Sequence, residues 1–545
     1  MTIDDLTRPR LAPWIIVHRP MADDAPWIVE RPGENPLRVS ADVGTLLSTF
    51  DGEADAARLA AALGERWTPE LVHTAVGKFS RLGLLAGEDT PAPKPERRFV
   101  ARSWTVVQLR IIQAGRVLEP VQPLLTRLSG RVVLGTSLAA ILIGVLALAV
   151  QHETVAAALG RPLPLNSALA IWLGLGVVTL VHELGHGATL THFHGRPGWL
   201  GVMLFYLTPA CFCEVTDGWR LAKPRQRVMV ALAGVITHAT VASAVALTGL
   251  LLPDGDLRTT VIAFSIATYL TAAVNLAPWI KLDGYLALMS YLDIPLLREK
   301  AMADARGWLG RVAFGARQPA PALSRPRLAV PFGLLCIVFP FAVLCFAVTR
   351  WGHQLVNLGA VGAALKLLLI AFLVGWVCRK AFLVLRNARR GGAGAPRRAV
   401  VVALTLAVLA VSFGGIRVHD DRQGGYVKDG TGVVLALPPG SDPGLVRAGD
   451  PVVLQRKGLF LTTDIGFARV GGGSPENANV PAEALIPFRS ESSVDAVVVR
   501  LEGVQAAQLD DIGTATVPGS TTPLGLWLLH EHVTSGWYTI FGKER

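Results

Sequence analysis

Residues 179–191 read TLVHELGHGATLT and lie in an apolar segment that begins near Ala168. His182, Glu183 and His186 form an HExxH pattern there. Four residues of helix advance about 400°, so the two imidazoles project from one face, about one turn apart. That spacing lets two histidines bind one zinc ion, and Glu183, beside the first, can reach a water on the metal. The apolar setting sharpens the reading, because a glutamate and two histidines at membrane depth are costly and such residues mark function. The plainer reading is a polar helix end among lipid headgroups.

Two histidines leave a catalytic tetrahedral site one protein ligand short if one position stays open for water. Residues 275–285, NLAPWIKLDGY, close another apolar segment and supply a carboxylate, Asp283, followed by Gly284. Asp283 is expected to end a membrane helix that Pro278 breaks, which is tolerated where backbone lines a polar cavity. The expected metal ligands are therefore His182, His186 and Asp283, with Zn²⁺ as cofactor. Taken alone, Asp283 would read as an ordinary helix-end carboxylate.

At these residues the chain resembles the site-2 protease family of intramembrane zinc metalloproteases. HELGH matches the first family motif, and Asn275, Pro278, Leu282, Asp283 and Gly284 match the second at the family's spacing. Lys281 and Tyr285, the segment MLFYLTPACFCEVTDGW (203–219) and ALAG (231–234) resemble the peptide zinc metalloprotease branch, linked to maturation of ribosomally made peptides. The resemblance covers roughly residues 103–390, and Ile280 departs from it, standing where many relatives have a second proline. It implies a zinc metalloendopeptidase in which Asn275 hydrogen-bonds the substrate backbone or the oxyanion. Residues 199–212, too short and too marked by Gly and Pro for a span, fit a re-entrant loop or membrane-edge hairpin and resemble the family's substrate-gating hairpin.

The 545 residues are 51% hydrophobic and only 17% charged, with mean hydropathy +0.44. That is a multi-pass membrane protein with soluble attachments rather than one soluble core. The net charge of +11 does not indicate nucleic acid, because the basic residues cluster beside apolar segments, as topology signals do. All five cysteines lie in apolar segments, so no disulfide framework is implied. Cys211 and Cys213 form C-x-C near the site and read as buried, inert thiols rather than ligands.

Seven spans are expected by apolar length, near 131–150, 167–190, 228–252, 259–281, 328–349, 357–382 and 398–416. Basic residues crowd 97–131, 220–227, 298–327 and 379–398, whereas 151–165, 253–258 and 350–356 are short and poor in Lys and Arg. The alternation places the N-terminus in the cytoplasm and the C-terminal domain outside a cell membrane, with HELGH and Asp283 toward the cytoplasmic side.

Residues 1–90 read as short strands (14–17, 27–30, 37–39) followed by three helices, a small α+β winged-helix-like domain. Residues 1–10 carry no apolar core, so no signal peptide is expected. VSADVGTLLSTFDGEAD and LVHTAVGKFSRLGLL resemble the peptide-binding chaperone domain of pyrroloquinoline-quinone biosynthesis, also called a RiPP recognition element. Such domains bind a leader peptide as an added strand. A plain regulatory or packing domain is the alternative. Residues 91–130 read as a linker, Pro-rich and charged at 88–98, then a segment along the membrane surface. The protease domain is expected at 131–416 and a mostly β extracytoplasmic domain at 417–545, serving as lid, scaffold or docking module for a transporter or secretion partner.

Other polar residues have two readings each. His192 and His194 could bind metal or hydrogen-bond at the interface. His238 could stabilise a tetrahedral intermediate or pack against a carbonyl. Asp217 matches the branch pattern or caps a helix before Trp219. The expected chemistry is peptide hydrolysis, with Glu183 as general base and then acid. Two other functions stay open: release of a membrane-anchored regulator by a site-2-like protease, and a non-catalytic transport or immunity protein with a relic zinc site.

Overall fold

The computed structural model describes residues 8–20, 27–30, 37–64, 66–86, 98–103, 106–205, 208–317, 320–357, 359–430, 432–438, 446–457, 462–486, 488–490, 492–506 and 509–541. Most of the Pro-rich linker expected at 88–98, and part of a short β run that the sequence LFLTT suggests at 459–463, lie outside them. The chain divides into two compact units, one of Met1–Leu146, Leu173–Val245 and Ser265–Pro295, the other of Ala147–Trp172, Ala246–Phe264 and Leu296–Arg545.

At the N-terminal end, strands β1 (Ile16–His18), β2 (Trp27–Glu30) and β3 (Leu37–Val39) form an antiparallel sheet in that order. Three helices follow, Ala41–Ser48, Ala56–Leu63 and Pro69–Arg81. Each starts on a side chain suited to it: Ser40, Asp55 and Thr68 accept the amides of Val43, Arg58 and Leu71. Such a cap satisfies one of the free amides of a first turn. Val29, Leu46, Leu47, Leu59, Val72 and Val76 form the buried core between sheet and helices.

The segment expected along the membrane surface before the first span is instead largely β. Strands β4 (Phe99–Ser103) and β5 (Val106–Gln113) pair antiparallel. VVQLRIIQ is rich in β-branched residues, which suit a pleated surface. Short helices Ala114–Leu118 and Gln122–Arg127 lead on toward the membrane helices.

Seven helices among the described residues are long and apolar enough to cross a membrane: Gly130–Val150, Leu165–His192, Pro224–Gly249, Asp256–Asn275, Pro326–Phe346, Gly359–Arg390 and Ala395–Gly415. They match the expected seven in number and give the chain the character of a multi-pass membrane protein. Strand β6 (Leu163–Pro164) lies between the first two. The expected hairpin after the second is formed by β7 (Trp199–Phe205) and β8 (Thr208–Cys213). Its sequence did not reveal that β7 also pairs with β5, making a four-stranded sheet β4-β5-β7-β8 with β8 at an edge.

The fourth span is shorter than expected. Its helix ends at Asn275, and Asp283 opens a separate helix, Asp283–Leu292, rather than ending a membrane helix. Pro278 explains the break, since proline disfavours helical conformation in the residue before it and lacks an amide to donate. The turn folds back tightly: a Cβ on Gly284 would collide with the backbone of Leu276. The basic stretch after the fourth span also carries a helix, Leu297–Phe314.

Beyond the seventh span lie β9 (Arg417–His419), β10 (Arg422–Asp429), β11 (Gly432–Leu437), β12 (Pro451–Lys457), β13 (Thr462–Val470), β14 (Glu476–Pro481), β15 (Phe488–Arg489), β16 (Ser493–Ala506), β17 (Ile512–Val517) and β18 (Thr521–Pro523). Six strands close a barrel in the order β11-β10-β17-β12-β13-β16, sealed by the β11–β16 pairing, and β14 adds to β16 outside the ring. Closure removes the exposed edges of an open sheet. Tyr426, Leu435, Val452, Leu454 and Ala515 fill the interior. The chain continues as Leu524–Leu529, a π-helical turn His530–Thr534, and Ser535–Phe541.

Candidate metal centre

The HELGH histidines and Asp283 meet. His182 Nε2 lies 3.2 Å from His186 Nε2. Asp283 Oδ2 is 2.9 Å from His182 Nε2, and its Oδ1 is 3.3 Å from His186 Nε2. Metal bonds of about 2.0–2.1 Å in a tetrahedron define edges of about 3.3–3.4 Å, close to these separations. All three side chains are buried. Asp283 Oδ2, despite its nearness to His182, makes no hydrogen bond among the described residues. Side-chain donor atoms of these types crowding one point suit a shared cation.

The outer nitrogens support that reading. His186 Nδ1 lies 2.7 Å from the carbonyl oxygen of Val230, so it carries the proton and leaves Nε2 with a lone pair. His182 Nδ1 faces His238 Nδ1 at 2.5 Å. His238 is only 1% exposed, and its Nε2 has no hydrogen-bond partner among the described residues. Of the two sequence readings of His238, the carbonyl contact is replaced by contact with the His182 imidazole. Gly234, in the ALAG stretch, explains how the helices approach so closely. A Cβ there would collide with Nε2 of both His182 and His186.

The His182, Glu183 and His186 donor atoms all lie within 4.8 Å of one another, so Glu183 is itself near enough to compete as a ligand. Two contacts separate its role from that of Asp283. The carboxylate of Asp283 touches both imidazoles. Glu183 Oε2 instead accepts the amide of Cys213 at 2.7 Å. The last residue of β8 thus holds the glutamate beside the histidine pair.

Asn275 closes the fourth span, is half-buried, and shows no side-chain hydrogen bond to the cluster among the described residues. His192 Nδ1 bonds the Leu125 carbonyl at 2.7 Å, in keeping with the interfacial reading. His194 sits in a left-handed turn with φ 62°. The Cys213 thiol packs beside Gly187, and neither Cys211 nor Cys213 joins the donor cluster among the described residues. Asp217 does not cap a following helix. It accepts the Arg196 amide at 2.7 Å and Arg220 at 3.0 Å, closing the loop that leads into β7. The sheet partner β5 was missed, and its one visible signal was the run of β-branched residues at 106–112.

In comparisons with known proteins, no family model, no curated protein and no solved structure matches this chain.

Proposed function

We propose that the chain is a zinc-dependent intramembrane endopeptidase that cleaves a ribosomally made precursor peptide at the membrane, as leader removal or maturation. The observation that carries this reading is the convergence of His182, His186 and Asp283, with Glu183 held beside them by the Cys213 amide. Its sequence support is the resemblance of HELGH and NLAPWIKLDG to the site-2 protease family. A zinc ion in that donor set would act as a Lewis acid and make water nucleophilic near neutral pH.

The residues of the chain would do the rest. Glu183 takes the proton of the attacking water on its carboxylate and returns it to the leaving amine. The Cys213 amide fixes the orientation of that carboxylate, so little is spent on reorganising it during the reaction. The unpaired edge of β8 offers backbone donors and acceptors to an extended peptide, in the manner of strand addition. A helical substrate would have to unwind first, because its own carbonyls are already bonded. Asn275 keeps the substrate-binding role implied by the resemblance.

The small N-terminal sheet with its three helices favours a precursor peptide over a membrane-anchored regulator. In this reading residues 1–90 bind the leader on the cytoplasmic face and raise its local concentration at the protease. The alternation of basic loops supports an N-terminus inside and a β domain outside. The hydrogen-bonded Glu183 speaks against a relic site.

The test uses the full chain in lipid nanodiscs with short candidate precursor peptides, taken from any small reading frames that flank its gene. Wild type should cleave it, and a zinc chelator should stop cleavage. Glu183→Gln should bind zinc at about one ion per chain while losing at least about a hundredfold in rate. Normal cleavage by Glu183→Gln would overturn the mechanism. Equal cleavage at low substrate with and without residues 1–90 would leave that domain without a delivery role.

A further inference from the structure

We propose that the C-terminal segment Leu524–Phe541 returns from the β domain into the membrane and lies in the lipid beside the sixth and seventh spans. The sixth span, Gly359–Arg390, and the seventh, Ala395–Gly415, are joined by only residues 391–394. The start of the sixth and the end of the seventh therefore share one membrane face. The C-terminal segment touches both. The Leu524 amide donates to the Ile416 carbonyl at 2.8 Å, directly after the seventh span. Gly525 lies against Phe413, and Gly536 lies against the Leu367 side chain of the sixth.

Lys366 gives an independent reason. Residues 359–378 carry no charge except Lys366, and Arg379 and Lys380 follow. At 1.5 Å per residue that run is about 30 Å long, the thickness of a bilayer core, and Lys366 sits about 10 Å from its start. A lysine at such depth is costly unless it has partners. Lys366 is 1% exposed, and its Nζ donates to the Glu531 carbonyl at 2.9 Å, with the Glu531 carboxylate 3.9 Å away. The partners of a membrane-embedded lysine come from the C-terminal segment, so that segment must reach the same depth. The π-helical turn His530–Thr534 is the part that carries Glu531.

The outer face of the segment fits lipid. Leu526, Leu529, Trp537, Tyr538 and Phe541 are all exposed, Phe541 by 65%. This face continues the exposed apolar flanks of the neighbouring spans, where Leu368 is 67% and Val411 73% exposed. Trp and Tyr at the margin of such a surface are typical of the membrane–water interface. A helix with this pattern lies in a leaflet instead of crossing the bilayer. The β domain is then tethered to the membrane at both of its ends.

The experiment places single cysteines in a cysteine-free full-length chain, at Leu526 and at Phe541, in phosphatidylcholine nanodiscs. Phe467→Cys, on the exposed side of β13, is the aqueous reference. Leu526→Cys and Phe541→Cys should react with a membrane-impermeant maleimide at least about fivefold more slowly than the reference. A fluorophore attached there should be quenched by lipids with brominated acyl chains. Reaction as fast as the reference, or protection without quenching, overturns the proposal. The second outcome would mean that protein, either a partner or another copy, covers this face. Should the cysteine-free chain not fold, the wild-type chain is irradiated in nanodiscs holding a lipid with a diazirine on its acyl chain. Crosslinks within residues 524–541 are expected, and crosslinks confined to the seven spans would overturn the inference.

Discussion

Arg38 on β3 donates to Asp293 at 3.0 Å, and Asp293 lies directly after the helix that Asp283 begins. The small N-terminal sheet is thereby tied to the element that brings Asp283 to His182 and His186. Arg227 donates to the same carboxylate at 2.6 Å and also to the Leu221 carbonyl at 2.8 Å. The two arginines differ in setting: the Arg227 side chain is 3% exposed and that of Arg38 29%.

That difference predicts unequal losses. Arg38→Ala should cost about 0–1 kcal/mol, as for other solvent-screened pairs. Asp293→Asn keeps a residue tolerant of the left-handed φ of 52°. It leaves the buried Arg227 charge without its carboxylate, which is itself 45% exposed and so partly screened, and should cost about 1–3 kcal/mol. Thermal unfolding of the full chain in detergent measures both. Equal shifts for the two variants would show that Arg227 does not depend on Asp293.

His238 is expected to position His182 and hold its tautomer, because the two Nδ1 atoms face each other at 2.5 Å. Outer partners of ligand histidines typically contribute about 10–100-fold to metal affinity. His238→Phe should weaken zinc retention by that factor in competition with a chelator, and His238→Gln, which keeps a polar group there, should recover part of it. Matching affinities for wild type and His238→Phe, with unchanged thermal unfolding, would reduce His238 to packing.

Tyr426 in the barrel gives a prediction in pH. Its side chain is fully buried and its hydroxyl has no hydrogen-bond partner among the described residues. Burial, aided by the nearby Asp510 carboxylate, pushes its pKa up from 10.0 to about 12. The folded state therefore keeps the proton where the unfolded state releases it. The contribution to stability is complete below about pH 10 and is lost as pH rises toward the folded value. Wild type should lose thermal stability more steeply than Tyr426→Phe between about pH 10 and 12, while the two stay within about 1 kcal/mol near neutral pH. Parallel pH curves would show that the hydroxyl is hydrated.

How much was legible in the sequence followed from the range of the interactions. The HELGH spacing depends on one turn of helix, and the seven spans depend on apolar length, so both could be read locally. The three N-terminal helices were likewise legible from local apolar spacing, whereas their caps Ser40, Asp55 and Thr68 emerged only from the structure. The fourth span was read too long because its apolar run continues to Ile280, whereas Pro278 ends the helical backbone sooner.

The sequence by itself determined where the histidine pair and its neighbouring glutamate lie on one helical turn and where the chain is apolar enough to cross a bilayer. Only the tertiary structure decided which donors meet. It brought Asp283 to the two imidazoles from a separate helix, set His238 against His182, and used β8 to hold Glu183. It also paired β5 with β7 and closed the six-stranded barrel. The physical reason is that helix periodicity and hydropathy are properties of neighbouring residues. Strand pairing and ligand convergence join residues about a hundred positions apart, as with Gln108 and Met203 or His182 and Asp283, and no local pattern encodes their distance.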